Sequence, residues 1–124
     1  MLFPHSVFIK GEAFGKPYMG KRPDAPRAWI ESICSSTKSW PIVVDACLLR
    51  VTFLLPPSKF SNSKFLGPDL DNLMKLFLDA LKNTVFRDPS DDSFVVPMEV
   101  AKTRVESDDN AGAMLEIVPL QTHS

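Results

Sequence analysis

Between Leu70 and Val85 the apolar residues Leu70, Leu73, Met74, Phe77, Leu78, Leu81 and Val85 fall at offsets 0, 3, 4, 7, 8, 11 and 15. A period of two would scatter these side chains over both faces of a strand. A period of 3.6 gathers them on one face of a helix. The spacing predicts an amphipathic helix, and its apolar face must be buried against another layer. Asp71, Lys75, Asp79 and Lys82 form a charged stripe on the other side, while Leu76 lies off the main apolar face.

The rest of the chain supplies that layer. Ser6–Gly11 and Pro41–Leu55 read as strands, the second long and rich in Val, Ile, Leu and Thr. Arg27–Ser35 reads as a short helix after a Gly/Pro loop that spans Glu12–Pro26. Phe94–Val105 and Ala113–Pro119 read as two strands around the turn Ser107–Gly112, with the look of a hairpin. The order β-α-β-α-β-β predicts an α+β fold: a single domain over residues 1–124, with a mixed β-sheet and helices packed on one face.

Composition narrows the function classes. With 124 residues, 44% apolar and 23% charged, the chain suits one soluble globular domain. Its longest apolar stretch, Pro41–Pro57, is broken by Asp45 and Arg50 and is not a membrane span. The first residues carry no cationic region ahead of a long apolar run, so a cytoplasmic protein is expected. Cys34 and Cys47 form no CxxC pair and have no His cluster beside them, which leaves zinc and redox chemistry without support. The net charge is −1, yet residues 1–66 carry a balance of +5 and residues 67–124 one of −6. That segregation suits phosphates gripped by one region and metal held by another, or it is simply mixed by folding.

The chemistry concentrates in Pro68-Asp69-Leu70-Asp71-Asn72-Leu73. On a continuous helix, residues two apart point about 200° from each other. In an extended segment they share a face. Pro68 disfavours a helical Gly67, so the chain is expected to stay extended through Leu70 and to turn helical near Asp71 or Asn72. Asp69 and Asp71 then converge at the helix N-terminus. Ordinary capping is the competing account of an Asp at this position. Likewise, Lys75 has possible partners in Asp71 and Asp79 one turn either way. Asp91-Asp92 lies one helix later, just before the next strand, and would return Asp92 to the same place. Clustered carboxylates need a cation to stay close, and Mg²⁺, a hard ion that takes oxygen ligands, suits them.

The segment Asp69-Leu70-Asp71-Asn72-Leu73, then Lys75, Asp79-Ala80-Leu81, and Asp91-Asp92-Ser93 before Val95-Val96, resembles the core signature of the RusA family of Holliday junction resolvases. The resemblance runs from about Pro68 to Lys102 and implies a RusA-like domain that resolves four-way DNA junctions as a Mg²⁺-dependent homodimer. By position it implies that Asp69, Asp71 and Asp92 are catalytic and metal-binding, with Lys75 as the site lysine. Asp79 and Asp91 would support them, and Lys102 would be a basic residue facing DNA. The turn Arg87-Asp88-Pro89-Ser90 is about two residues longer than the family pattern, which makes Asp88 a rival to Asp91. Lys10, Lys16, Lys21, Arg22 and Arg27, with Lys59 and Lys64 in the polar loop Pro56–Pro68, are candidates to grip the DNA backbone. Phe60 and Phe65 in that loop either wedge between bases or pack beneath it. Leu76, Trp29 and Trp40 are candidates for the dimer contact, or each is ordinary core. Two alternatives stay open: a non-catalytic nucleic-acid-binding dimer of this fold, and a Mg²⁺ phosphohydrolase acting on another substrate.

Overall fold

The computed structural model describes residues 5–16, 18, 22, 24–60 and 67–120. Lys21, Lys64 and Phe65 lie outside the described residues. Strand β1 (His5–Lys10) leads through a loop to helix α1 (Asp24–Thr37). Strand β2 (Cys47–Leu55) is followed by helix α2 (Leu70–Leu81). Strand β3 (Val95–Arg104) and strand β4 (Gly112–Pro119) complete a four-stranded sheet of order β1-β4-β2-β3. The expected α+β domain with a mixed sheet is present.

Three expectations change. Pro41–Leu55 is not one long strand, since pairing begins only at Cys47. The last two strands do not form a hairpin, because β2 lies between them: parallel to β3 on one side and antiparallel to β4 on the other. The reason is in the residues. β2 alternates buried and half-exposed positions, with Cys47, Leu49, Val51, Phe53 and Leu55 all at 0% exposure, and its apolar content suits the interior of the sheet. The segment carrying α2 is long enough for the crossover that parallel pairing requires. The mostly exposed β3 takes the edge. Helix α1 is longer than Arg27–Ser35 and begins at Asp24, with Pro26 tolerated in its first turn.

The inward row Ile9–Ala113–Phe53–Lys102 crosses the four strands in register. Above it, the Phe77 ring of α2 meets Phe53 edge to face, centroids 5.6 Å apart, and Trp29 of α1 at 6.2 Å. These three aromatics join the sheet to both helices. The buried face of α2 consists of Leu73, Met74, Leu76, Phe77, Ala80 and Leu81, while Leu70 and Leu78 are only half-buried. Of the two readings open for Leu76 and Trp29, core or dimer contact, burial selects the core, at 5% and 1% exposure. Helix α1 packs on the flank of α2 and widens its buried stripe beyond the face that contacts the sheet. Trp40 is half-buried, its ring 4.9 Å from that of His5. Among the described residues, no helix is long and apolar enough to cross a membrane.

Leu76→Ala is expected to cost about 2–5 kcal/mol, the range for emptying a buried Leu site. Urea unfolding measures this. A loss below about 0.5 kcal/mol would return Leu76 to the surface.

Candidate active site

Gly67 has φ +80°, a conformation that favours glycine, and a Cβ there would meet the Phe60 ring at 2.8 Å. This turn directs Pro68 and Asp69 into α2. Lys102 of β3 donates from its Nζ to the Pro68 carbonyl at 2.7 Å and so fixes the entry from the sheet side. From the other side, the loop after β1 lies against the first turn of α2. The Lys16 backbone N–H donates to the Asn72 carbonyl at 2.9 Å, and a Cβ on Gly15 would meet Asn72 Cβ at 3.0 Å.

Asp69 is extended, with φ −66° and ψ 136°, and the helix begins at Leu70, one residue earlier than expected. Asp69 occupies the N-cap position, yet its carboxylate accepts no capping hydrogen bond. The capping account of this residue is therefore not met. Asp69, Asp71 and Lys75 are all exposed, and none makes a side-chain hydrogen bond or ion pair among the described residues. The possible pairing of Lys75 with Asp71 and Asp79 is not made.

One turn further along, the charges are compensated. Lys16 Nζ reaches Asp79 Oδ2 at 2.5 Å. Lys82 Nζ lies 3.8 Å from Asp79 Oδ1 and 3.5 Å from Asp92 Oδ2. Lys16, Lys75, Leu78, Asp79 and Asp92 line one open cleft of about 450 Å³. Asp92 thus returns to the charged side of α2, but at its C-terminal half. A second hollow of about 270 Å³ continues from there, lined by Lys82, Phe86, Asp88, Ser90, Asp91 and Asp92. Asp91 accepts from the Ser93 backbone N–H at 2.8 Å, which holds its carboxyl below the usual range, helped by a hydrogen bond with Asp92 and the charge of Lys82. Asp88 shares this hollow with both.

Among the described residues, no three His, Cys, Asp or Glu side chains stand close enough to hold one metal ion together. The expected meeting of Asp69, Asp71 and Asp92 is not made in this state. Asp92 stands beside Lys75, Asp79 and Lys82, further along α2 than Asp69 and Asp71. The donor set at the N-terminus still fits Mg²⁺, which binds through one or two carboxylates and keeps several waters. Asp69 and Asp71 are hard oxygen donors with no competing partner among the described residues.

The remaining cations are largely engaged. Arg22 and Lys59 both reach Glu12 Oε2 at 3.1 Å. Lys59 also lies over the Phe14 ring at 3.8 Å, and its side chain is 16% exposed. Arg27 is exposed, with Asp24 at 3.8 Å. Phe60 packs against Gly67, with the Arg104 guanidinium 5.4 Å from its ring centroid. The Lys82–Asp92 and Lys59–Glu12 contacts leave no trace in the sequence pattern. Each crosses between elements whose separation along the chain carries no period.

The fold is a mixed four-stranded α+β sheet whose crossover helix starts at two exposed acids that have no side-chain partner among the described residues. The family model described as Endodeoxyribonuclease RusA matches residues 10–117 of the 124-residue chain. The chain belongs to the RusA endodeoxyribonuclease family, whose members act on branched DNA junctions. No curated protein matches it.

Burial pushes the Glu12 carboxyl up, but Lys59 and Arg22 outweigh burial and leave it below its ordinary value of 4.5. A carboxyl lowered by folding stabilises fully above the unfolded value, and this contribution is lost as pH falls through the folded one. Glu12→Gln is expected to lower the melting temperature at pH 7 and to flatten its fall at acid pH, below the ordinary value of 4.5. An acid limb identical to that of wild type would show that the Glu12 pairing contributes nothing.

Proposed function

We propose that this chain is a Mg²⁺-dependent endonuclease that resolves four-way DNA junctions by paired nicks. The observation that carries the reading is the contrast along α2. Asp69, Asp71 and Lys75 are exposed and have no ion pair among the described residues, whereas the charged residues one turn later are tied into ion pairs. The helix dipole accounts for acids in the first turn, while phosphodiester hydrolysis would in addition use a lysine that has no ion pair among the described residues.

In this reading Asp69 and Asp71 hold the ion, and Asp92 joins them from the turn before β3. Mg²⁺, when bound, supplies charge to polarise the scissile phosphate and to acidify water. Lys75 sets its ammonium beside the phosphate, one turn along α2 from Asp71, and offsets the charge that develops on the leaving oxygen. Lys102 positions Asp69 through the Pro68 carbonyl. Asp79 and Asp91 hold Lys16 and the turn of Asp92 in place. Asp71→Asn is expected to reduce junction cleavage by about 100-fold or more, roughly the loss of one strong charge-stabilising group. Junction affinity should be unchanged or higher, because one negative charge near the phosphate is removed. Gel assays of cleavage and binding measure both. Wild-type turnover by this variant would remove Asp71 from the site.

DNA is gripped by Lys21, Arg22, Arg27 and Lys64 in this proposal, with the exposed guanidiniums of Arg22 and Arg27 able to exchange their carboxylates for phosphates, while Lys16, Lys59 and Lys102, also expected on DNA, stay with Asp79, Glu12 and the Pro68 carbonyl. The junction is two-fold and needs two cuts, while the chain carries one site, so two copies act as a homodimer. Sedimentation of a labelled junction across a salt series reads both points. Two protomers per junction are expected, with a steep salt slope. In Arg22→Ala/Arg27→Ala the slope should flatten by about 0.9 for each phosphate that is no longer neutralised. One protomer per junction would contradict paired nicking, and an unchanged slope would take these arginines off the DNA.

A further inference from the structure

Lys82 stands between two carboxylates, Asp79 at 3.8 Å and Asp92 at 3.5 Å. Asp79 has a second, closer partner in Lys16 at 2.5 Å, whereas Lys82 is the one cation paired with Asp92 among the described residues. Lys82 is also the C-cap of α2, where the helix dipole favours a cation. It pairs with Asp92 beside the C-terminal half of α2, while Asp69 and Asp71 stand at the other end of the helix.

We propose that Lys82 is a built-in counter-ion for Asp92 that competes with the metal ion and sets the affinity of the site. The inference rests on the reading of Asp69, Asp71 and Asp92 as metal ligands. Without metal, Lys82 compensates Asp92 and keeps the acidic turn from repelling the other acids. Loading exchanges this ammonium for the ion, while Asp79 stays satisfied by Lys16. The Lys82–Asp92 pair is open to water, with side chains 51% and 32% exposed. Such pairs are weak, so Lys82 tunes the exchange without blocking it. Lys82 acts through Asp92 and is a positioning residue, not a catalytic one.

The test is Mn²⁺ binding by the full chain, followed by electron paramagnetic resonance of the free ion, which needs no turnover. Lys82→Met is expected to bind Mn²⁺ about two- to five-fold more tightly than wild type. Lys82→Arg, which keeps the charge and the reach, is expected to restore the wild-type value. In an Asp92→Asn background, Lys82→Met should change nothing, because the residue through which it acts is gone. Equal affinity of Lys82→Met and wild type would overturn the proposal and leave the metal site standing. An equal gain in both backgrounds would also overturn it, by making Lys82 a general charge. No Mn²⁺ binding by wild type would overturn the metal reading itself, and this inference with it.

Discussion

The contact of Phe77 with Phe53 below and Trp29 beside it is the constraint on which the rest depends. It seats α2 on β2 and α1 on α2 at one point. Once Phe77 is fixed, helical geometry fixes which residues face water, and the stripe Asp71, Lys75, Asp79 and Lys82 turns away from the core. The apolar face and the charged stripe of α2 follow from one rotation. A change in the packing of Phe77 would turn the candidate site as much as it would weaken the core.

The helix is then entered and left under control. Gly67 makes the turn before it, Lys102 anchors the Pro68 carbonyl, and the Gly15–Asn72 approach braces the first turn. The order of the strands matters here. Because β3 is parallel to β2, its start lies near the end of α2, and the turn before it brings Asp91 and Asp92 back to the helix. Had β3 and β4 formed the expected hairpin apart from β2, nothing would have returned Asp92 to this cleft.

The element order and the helix over most of Leu70–Leu81 were legible in the sequence, because both rest on local spacing. Leu76 and Trp29 stayed open between core and dimer contact, because one apolar face does not reveal that α2 packs on both the sheet and α1. The strand order stayed hidden, since the pairing of β2 with β3 is set by burial across the whole sheet. The cross-element pairs Lys16–Asp79, Lys59–Glu12 and Lys82–Asp92 were equally out of reach. Their effect is to turn several cations that looked free for DNA into residues that already hold part of the fold.

The central claim is that the acids at the start of α2 make this chain a metal-dependent junction nuclease. The most direct measurement is incubation of the wild-type protein with a synthetic four-way junction and with a linear duplex of the same sequence, each with Mg²⁺ and with a chelator. Nicks on opposing strands of the junction are expected in Mg²⁺ only, with the duplex left intact. Equal cleavage with the chelator, or equal cleavage of the duplex, would contradict the claim.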